Sequence, residues 1–362
     1  MTFSRFDHEC MATALRLARL GLFTAQPNPR VGCVIARDQQ IVGQGWHRVT
    51  GGAHAEVEAL KDAGKSAEGS TVYVTLEPCN HQGRTAPCVD ALINVAVKRV
   101  VIACNDPNPL VNGSGVERLR AAGISVESGL MELQARELNP GFFKRMQEGL
   151  PWVRVKAAIS LDGRTALESG ASKWISSAES RHDVQRWRAR SSAILTGIGT
   201  VLADNPNMNV RLPDVTGQPL KVIADSRWRT PPGSRILSKP GSALIFGDAA
   251  LKIPSGLIDQ GASCEPLDLQ NGKLPLRSVL GVLAKLEINE VQVEAGATLC
   301  GALLGAGLVD EILLYQAPVL LGNGGAGPFS FGPLESMQDR THLTVLETIH
   351  LGMDTRIRLR PE

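Results

Sequence analysis

Alternation limits what this chain can fold into more than any other feature. Short apolar runs of strand length repeatedly give way to segments with helical spacing. Met11, Leu15 and Ala18 share a face within residues 7–20, and Gly21 suits a helix end. "VGCVIA" (31–36) and "IVGQGW" (41–46) read as strands around the polar turn "RDQQ". A helix follows to about Lys61, then a strand at 70–76, a helix at 88–97, a strand at 99–104, a helix at 115–123 and a strand from Ile124. Strands that alternate with helices bury their apolar faces in layers, so the predicted fold class is an α/β sandwich.

A polar stretch with a Gly and a Pro, "KRMQEGLPW" (144–152), interrupts this pattern. It predicts a boundary between a first domain, 1–149, and a second, 150–362. The length of 362 residues independently favours two domains. The second run holds strands at 152–160, 192–197, 220–225, 242–247, 290–296 and 311–318, with helices at 278–286 and 298–307. The net charge of +2 and the lack of a basic stretch point away from nucleic acid and membrane surfaces. "MTFSRFDHEC" has no apolar core of a signal peptide, so a cytoplasmic location and reduced thiols are expected. Among seven cysteines, Cys10, Cys33, Cys104, Cys264 and Cys300 are isolated and read as small core residues.

The other two, Cys79 and Cys88, each follow a proline in "TLEPCNHQGRTAPCVDAL" (75–92). Upstream, "GGAHAEVEAL" (51–60) puts His54 and Glu56 at the start of a helix. Taken alone, His54 caps that helix and Glu56 suits the positive end of its dipole. Taken with the two cysteines, His54, Cys79 and Cys88 make a three-ligand zinc site with the fourth position left to water, the arrangement of a catalytic centre. Cys88 opens a helix, where backbone N–H groups favour a thiolate. Zinc brings the pKa of its water toward neutrality, so that hydroxide can attack an aromatic C–NH2 carbon. Glu56 can carry the proton to the departing amine without competing for the metal. Zinc deaminases of nucleobases use H-x-E…P-C-x-x-C; here eight residues, not two, separate the cysteines. The enlarged loop carries His81, Arg84 and Thr85 and is expected to close over substrate, with Arg84 toward a phosphate. His81 is a rival ligand; His54 has the carboxylate partner.

This constellation resembles the cytidine-deaminase-like family. More narrowly, "PNPRVGCVI", "GWH", "HAE", "TLEPCNHQGRTAPC" and "NDPNP", then "KAAISLDGRTA", "SKWIS", "TVLADNPNMNVR" and "VEAGATLCGALL", resemble the bifunctional deaminase/reductases of riboflavin biosynthesis over almost the whole chain. The resemblance implies a cytidine-deaminase-like α/β/α sandwich followed by a dihydrofolate-reductase-like α/β domain. It implies zinc-dependent deamination of 2,5-diamino-6-ribosylamino-4(3H)-pyrimidinone 5′-phosphate. NADPH-dependent reduction of the ribosyl to a ribityl group would follow, giving 5-amino-6-ribitylamino-uracil 5′-phosphate. It also implies a small phosphorylated pyrimidine as ligand and a homo-oligomer, dimer or tetramer.

Residue by residue, the resemblance puts His54, Cys79 and Cys88 on zinc, Glu56 on the proton, and Asn28, His47, Asp106 and Asn108 in the segments that line the pyrimidine. Asn28 and Asn108 flank prolines and also suit turns, and Asp106 also suits a loop cap. In the second domain no G-x-G-x-x-G opens a strand–helix junction, so a Rossmann site is not indicated. Polar groups gather at strand ends instead, where α/β sheets place their ligands. The resemblance brings Ala158, Ser160, Trp174, Thr200, Asp204, Ser226 and the segment Gly296, Ala297, Thr298, Leu299, Cys300, Gly301 and Ala302 to NADPH. The last segment reads as a strand end opening into a helix, whose N-terminus suits a phosphate. It brings Ser172, Arg188, Met208, Arg211 and Glu294 to the ribose phosphate, with Lys156 and Asp204 as proton donors. Arg188 and Arg211 match a phosphate bidentately. The alternatives are a solvated helix face for Arg188 and core packing for Trp174. Gly-rich "LLGNGGAGPF" (320–329) reads as a flexible loop.

Three rivals fare worse. A deaminase of nucleic acid would want a basic, aromatic-rich stripe. A structural metal scaffold would want a fourth protein ligand and has no use for Glu56. A degenerate reductase half conflicts with its intact polar clusters.

Overall fold

A computed structural model describes residues 3–80, 86–109, 111–215 and 217–362. The chain divides into two compact units, Met1–Leu150 and Pro151–Glu362. Among the described residues, no helix is long and apolar enough to cross a membrane.

In the first unit, α1 (Arg5–Leu20) leads into β1 (Gly32–Arg37), β2 (Gln40–Trp46), α2 (Ala55–Ala63), β3 (Thr71–Val74), α3 (Cys88–Asn94), β4 (Arg99–Ile102), α4 (Ser114–Ala121), β5 (Ser125–Ser128), α5 (Glu132–Leu138) and α6 (Pro140–Glu148). The sheet order is β2-β1-β3-β4-β5, antiparallel around β1 and parallel from β3 onward. Successive side chains of a strand face opposite ways. Cys33 and Ile35 therefore enter one core with Ala55, Ala59, Val89, Leu92 and Leu119, and Val34 and Ala36 enter another with Met11, Ala14, Leu15, Phe142 and Phe143. Helices thus cover both faces, as the α/β sandwich reading expects. Two helices depart from that reading: α5 was not anticipated, and most of the polar stretch 144–152 is the end of α6. Asn139 between them holds the Arg30 backbone at both its N–H and its C=O, at 2.8 and 2.9 Å.

Two glycines set how close α2 comes to the sheet. A Cβ on Gly43 or Gly45 would lie 2.4 Å from the carbonyl oxygen of Ala59 or Ala55. Only hydrogen fits there, so α2 rides directly on β2 and its first turn is held at the end of the sheet. At the opposite end of the strands, Asp7 accepts from Tyr73 Oη at 2.7 Å and Arg99 Nη1 at 2.6 Å, and Arg99 also reaches Glu127 at 2.8 Å. Burial works against the Asp7 charge, but the Arg99 and Tyr73 hydrogen bonds outweigh it and hold the carboxyl well below the usual range.

The second unit is built from β6 (Trp152–Ile159), α7 (Ala178–Arg190), β7 (Ala193–Gly197), α8 (Ile198–Asp204), β8 (Leu220–Ala224), β9 (Ala243–Asp248), α9 (Ser255–Asp259), β10 (Ser263–Leu267), α10 (Leu276–Lys285), β11 (Glu290–Val293), α11 (Ala297–Gly305), β12 (Glu311–Gln316), β13 (Leu343–Leu351) and β14 (Asp354–Pro361). Its sheet runs β10-β9-β8-β7-β11-β6-β12-β14-β13, parallel up to β12 and antiparallel beyond. Patterning alone does not reveal α8, α9, β10 or the β13–β14 hairpin, and Asp204 is the last residue of α8.

Arg154 sits fully buried on β6 between two glutamates: Glu290 on β11 at 3.1 Å and Glu311 on β12 at 3.0 Å. Arg190 shares the same Glu290 oxygen at 2.8 Å, and Arg358 takes the other Glu311 oxygen at 2.7 Å. The guanidinium of Arg154 stacks over Trp187, 4.6 Å from the ring centre. Burial opposes the Glu311 charge, yet Arg154 and Arg358 hold its carboxyl down at about 2. Because that pKa is depressed, the stabilisation is complete above the ordinary glutamate value of 4.5 and is lost as pH falls through about 2. Arg154→Met leaves two buried carboxylates short of a partner. It is expected to lower the unfolding free energy by about 3–5 kcal/mol at neutral pH, measured by urea denaturation, and by clearly less when the titration is repeated near pH 3.

Candidate functional site

Three side chains from three elements converge at the carboxyl end of the first sheet. His54 stands at the N-cap position of α2, but its side chain makes no capping bond. Its Nδ1 lies 3.5 Å from Cys79 Sγ and 3.2 Å from Cys88 Sγ. Cys79 comes from the loop after β3, and Cys88 is the first residue of α3. The donor atoms all lie within 4.8 Å of one another. The capping role open to His54 in the sequence is therefore not what its ring does. Cys88 donates its backbone N–H to Cys79 Sγ at 3.4 Å. The Cys88 thiol, this N–H and the His54 ring all favour a charged Cys79, whose pKa is held far below the ordinary thiol range. One imidazole nitrogen and two sulfurs, half to fully buried, are the soft donor set that suits zinc and disfavours oxygen-seeking cations.

Glu56, the second residue of α2, is buried beside this cluster. Its carboxyl is hydrogen-bonded to the Cys88 thiol; burial, reinforced by charge on Cys79, pushes it up to about 7. His47 packs edge-on to His54, with ring centres 5.4 Å apart. Its Nδ1 faces the Ala53 carbonyl at 3.0 Å and its Nε2 faces Asn28 at 3.1 Å. Burial lowers its pKa. Asn28 and His47 are thus joined to each other at the rim of the cluster. Asp106 is buried and pushed up to about 7, chiefly by desolvation, while the Asn108 N–H at 2.8 Å opposes the shift. That bond is the loop cap the sequence allowed. His81 and Arg84 lie outside the described residues.

Sequence reasoning missed Glu77. Its Oε2 accepts from the backbone N–H of Asp106 at 3.2 Å and Gly113 at 3.1 Å; its Oε1 accepts from Gly115 at 3.1 Å and Val116 at 3.2 Å. A Cβ on Gly115 would come within 2.3 Å of the Pro78 carbonyl, so α4 abuts the loop that delivers Cys79. No spacing rule finds such a residue, because all four partners are backbone.

In the second unit, Lys156, Arg188, Glu294 and Cys300 come together. Arg188 grips Glu294 bidentately, 2.7 Å at both nitrogens, and donates to the Asn209 carbonyl at 3.0 Å. Its fork is filled by protein, so the expected direct clasp on a phosphate gives way to orientation of Glu294; nor does its buried side chain lie on a solvated face. Burial opposes the Glu294 charge, but Arg188, Lys156 and Gln292 hold its carboxyl down at about 2. Lys156 is half-buried, and desolvation lowers its pKa. Asp204 does not join it: its carboxylate pairs with Lys173 at 3.2 Å in a half-exposed position. Met208 is buried in the apolar core with Ile198 and Ile223, and its Sδ faces Arg188 Nη2 at 3.9 Å. Trp174 is 71 % exposed, with Arg181 over its ring, which rules out the core alternative. Arg211 reaches Asn209 Oδ1 at 3.2 Å, and Ser172 and Ser226 are half-buried. At the start of α11 the N-cap Gly296 provides no side-chain bond, and a Cβ there would meet nothing within 4 Å. A helix N-terminus that opens onto free space suits a phosphate of a nucleotide cofactor. Thr200 lies within α8 and Ala158 on β6, while Cys300 is buried with its thiol donating to the Ala295 carbonyl at 3.4 Å.

Removing the Glu77 carboxylate strands four backbone donors. Glu77→Ala is expected to destabilise the chain by about 3 kcal/mol or more, as buried donors left unpaired do. Glu77→Gln, which keeps the shape but turns one acceptor oxygen into a donor, is expected to fall between it and the wild type in a thermal melt.

Comparison with known proteins follows the same division. The family profile described as the RibD C-terminal domain matches residues 151–356, and that of the cytidine and deoxycytidylate deaminase zinc-binding region matches residues 4–104. The riboflavin biosynthesis protein RibD of Escherichia coli strain K12 is 46 % identical, covering 98 % of this chain and 99 % of its own. A solved RibD structure from Acinetobacter baumannii superposes with a TM-score of 0.93 at 46 % identity, covering 99 % of both chains. The solved diaminohydroxyphosphoribosylaminopyrimidine deaminase/5-amino-6-(5-phosphoribosylamino)uracil reductase of Thermotoga maritima gives 0.88 at 32 % identity, again over 99 % of both chains.

Proposed function

The chain belongs to the RibD family of riboflavin biosynthesis proteins, and from that premise we propose how its residues divide two consecutive reactions between its two units. The enzyme is a zinc-dependent pyrimidine deaminase and an NADPH-dependent reductase. The first unit deaminates 2,5-diamino-6-ribosylamino-4(3H)-pyrimidinone 5′-phosphate, and the second reduces the ribosyl group of the product to ribityl. The observation that carries the reading is the convergence of His54 Nδ1 with the Cys79 and Cys88 sulfurs beside a buried Glu56.

His54, Cys79 and Cys88 hold zinc, which when bound supplies a Lewis acid beside the pyrimidine ring. Glu56 takes a proton from the attacking water and delivers it to the amine, which leaves as ammonia. Its buried carboxyl lies beside the three ligands without being one of them, so it can exchange a proton there without competing for the metal. Asn28, His47, Asp106 and Asn108 orient the pyrimidine from the rim. In the second unit NADPH supplies the hydride. Backbone N–H groups at the start of α11 receive a cofactor phosphate, and Lys156 delivers a proton to the substrate. Arg188 holds Glu294 toward the ribose, and Arg211 takes the substrate phosphate. The active form is a homodimer or homotetramer that works in the cytoplasm on a free nucleotide, not on nucleic acid.

Mass spectrometry of the products tests this reading. With substrate alone the chain is expected to give only the deaminated product; with NADPH added, the deaminated and reduced one. Deamination without reduction under both conditions would sink the reductase assignment, and no reaction by zinc-loaded protein would sink the substrate. A second expectation separates ligand from proton carrier. Glu56→Gln should retain stoichiometric zinc by atomic absorption and lose about 10²–10⁴-fold in deamination rate, whereas Cys88→Ala should lose both.

A further inference from the structure

The Gly-rich segment after β12 is not a free loop. Leu161 N–H donates to the Val319 carbonyl at 2.8 Å, and the Leu321 and Gly322 N–H groups donate to the Asp162 carboxylate at 3.1 and 2.8 Å. Asp162 also accepts from the Ser160 hydroxyl. Thr165 bonds the Ala326 carbonyl through both its N–H, at 2.9 Å, and its hydroxyl, at 3.0 Å. Farther on, Ser330 N–H donates to the Ala297 carbonyl at 2.9 Å. Close approach enforces the path. A Cβ on Gly325 would lie 2.0 Å from the Ala166 carbonyl, and one on Gly301 would lie 2.0 Å from the Ser330 carbonyl. Residues 319–330 therefore span from the turn after β6 to the first turn of α11.

These two anchor points are the two sides of the cofactor site in the reading above: Ser160 on one, Gly296 to Ala302 on the other. We propose that residues 319–330 form a strap that fixes the spacing between those sides, and that Asp162 is the positioning residue that fastens it. Asp162 is not a catalytic residue; it acts through the Leu321 and Gly322 N–H groups. Ser160 donates to the same carboxylate and accepts from the Arg164 N–H at 2.9 Å, so unfastening the strap also removes one of the bonds that hold a side chain of the nucleotide site. Hydrogen bonds to Ser160 and to the two N–H groups keep this carboxyl at about 2, so the fastening is charged throughout the neutral range. The inference rests on the second unit being the NADPH site.

Two unrelated substitutions undo the same junction. Asp162→Asn removes the charge that the N–H groups face. Gly325→Ala pushes the strap off the Ala166 carbonyl. Gly332→Ala, where a Cβ would meet nothing within 4 Å, is the control. All are made in the full zinc-loaded chain, and NADPH binding is read from nucleotide fluorescence alongside reductase and deaminase rates. Asp162→Asn and Gly325→Ala are each expected to weaken NADPH binding about tenfold, equivalent to 1.4 kcal/mol. The rate at saturating NADPH should fall less than about threefold, the split expected when ground-state and transition-state binding drop together. Deamination and the control should match the wild type. A general loss of folding would instead lower the saturated rate and the melting temperature with no such split, and would count against the strap. If the wild type binds NADPH and Asp162→Asn binds it equally well, the inference is overturned. A wild type that binds no NADPH overturns the cofactor reading, and the strap with it.

Discussion

A charge can be buried only if it is fully met, and both units are organised by that constraint. In the first, the Glu77 carboxylate gathers four backbone N–H groups. It thereby ties the loop that delivers Cys79 to the loop holding Asp106 and to the first turn of α4. In the second, the guanidinium of Arg154 lies across three neighbouring strands and is met by Glu290 and Glu311, which are met in turn by Arg190 and Arg358. An apolar residue at either position would pack, but it would leave several hydrogen-bonding groups in low dielectric without partners. These clusters specify which loop sits against which, at a place where apolar packing alone would allow sliding.

The sheet ends show why such specification matters. Ligands of α/β sheets collect at the carboxyl ends of strands because the backbone there turns into helix N-termini, with N–H groups aimed outward. In the first unit that position receives His54, Cys79 and Cys88 from three separate segments. The approach of α2 to β2, possible only with Gly43 and Gly45, sets the height of His54 and Glu56 over the sheet. In the second unit the same logic leaves the start of α11 open, with Lys156, Arg188 and Glu294 nearby.

What could be read from the sequence depended on range. Strand and helix patterning is local, so the first sandwich up to β5 and the parallel strands of the second unit other than β10 were legible. The His54–Glu56 pair and the two Pro-Cys steps were legible as well, because each lies on a short segment whose chemistry is unusual by itself. Long-range partners were not. Nothing in "RHDVQRWRAR" shows that Arg188 is gripped by a carboxylate 106 residues away, so it looked free for a phosphate. Asn139 and Pro140 form a corner between two helices, held by the Arg30 backbone, a partnership no local pattern shows. The Gly-rich run at 320–329 looked loose because glycine permits mobility, whereas here it permits contact: at Gly325 only a hydrogen fits against Ala166. Glu77 was silent because backbone donors leave no mark on the sequence.

The cluster of Asp7, Tyr73, Arg99 and Glu127 lies at the end of the first sheet away from the three-ligand site. One end of β3 and β4 is thus given to holding the sandwich together and the other to chemistry, with the strands as spacers between them. Variation at one end has little geometric leverage on the other. Such a layout lets a lineage retune its thermal tolerance, or trade one ion pair for another as its environment changes, without renegotiating the pyrimidine site. It equally lets substrate loops diverge while the scaffold stays put.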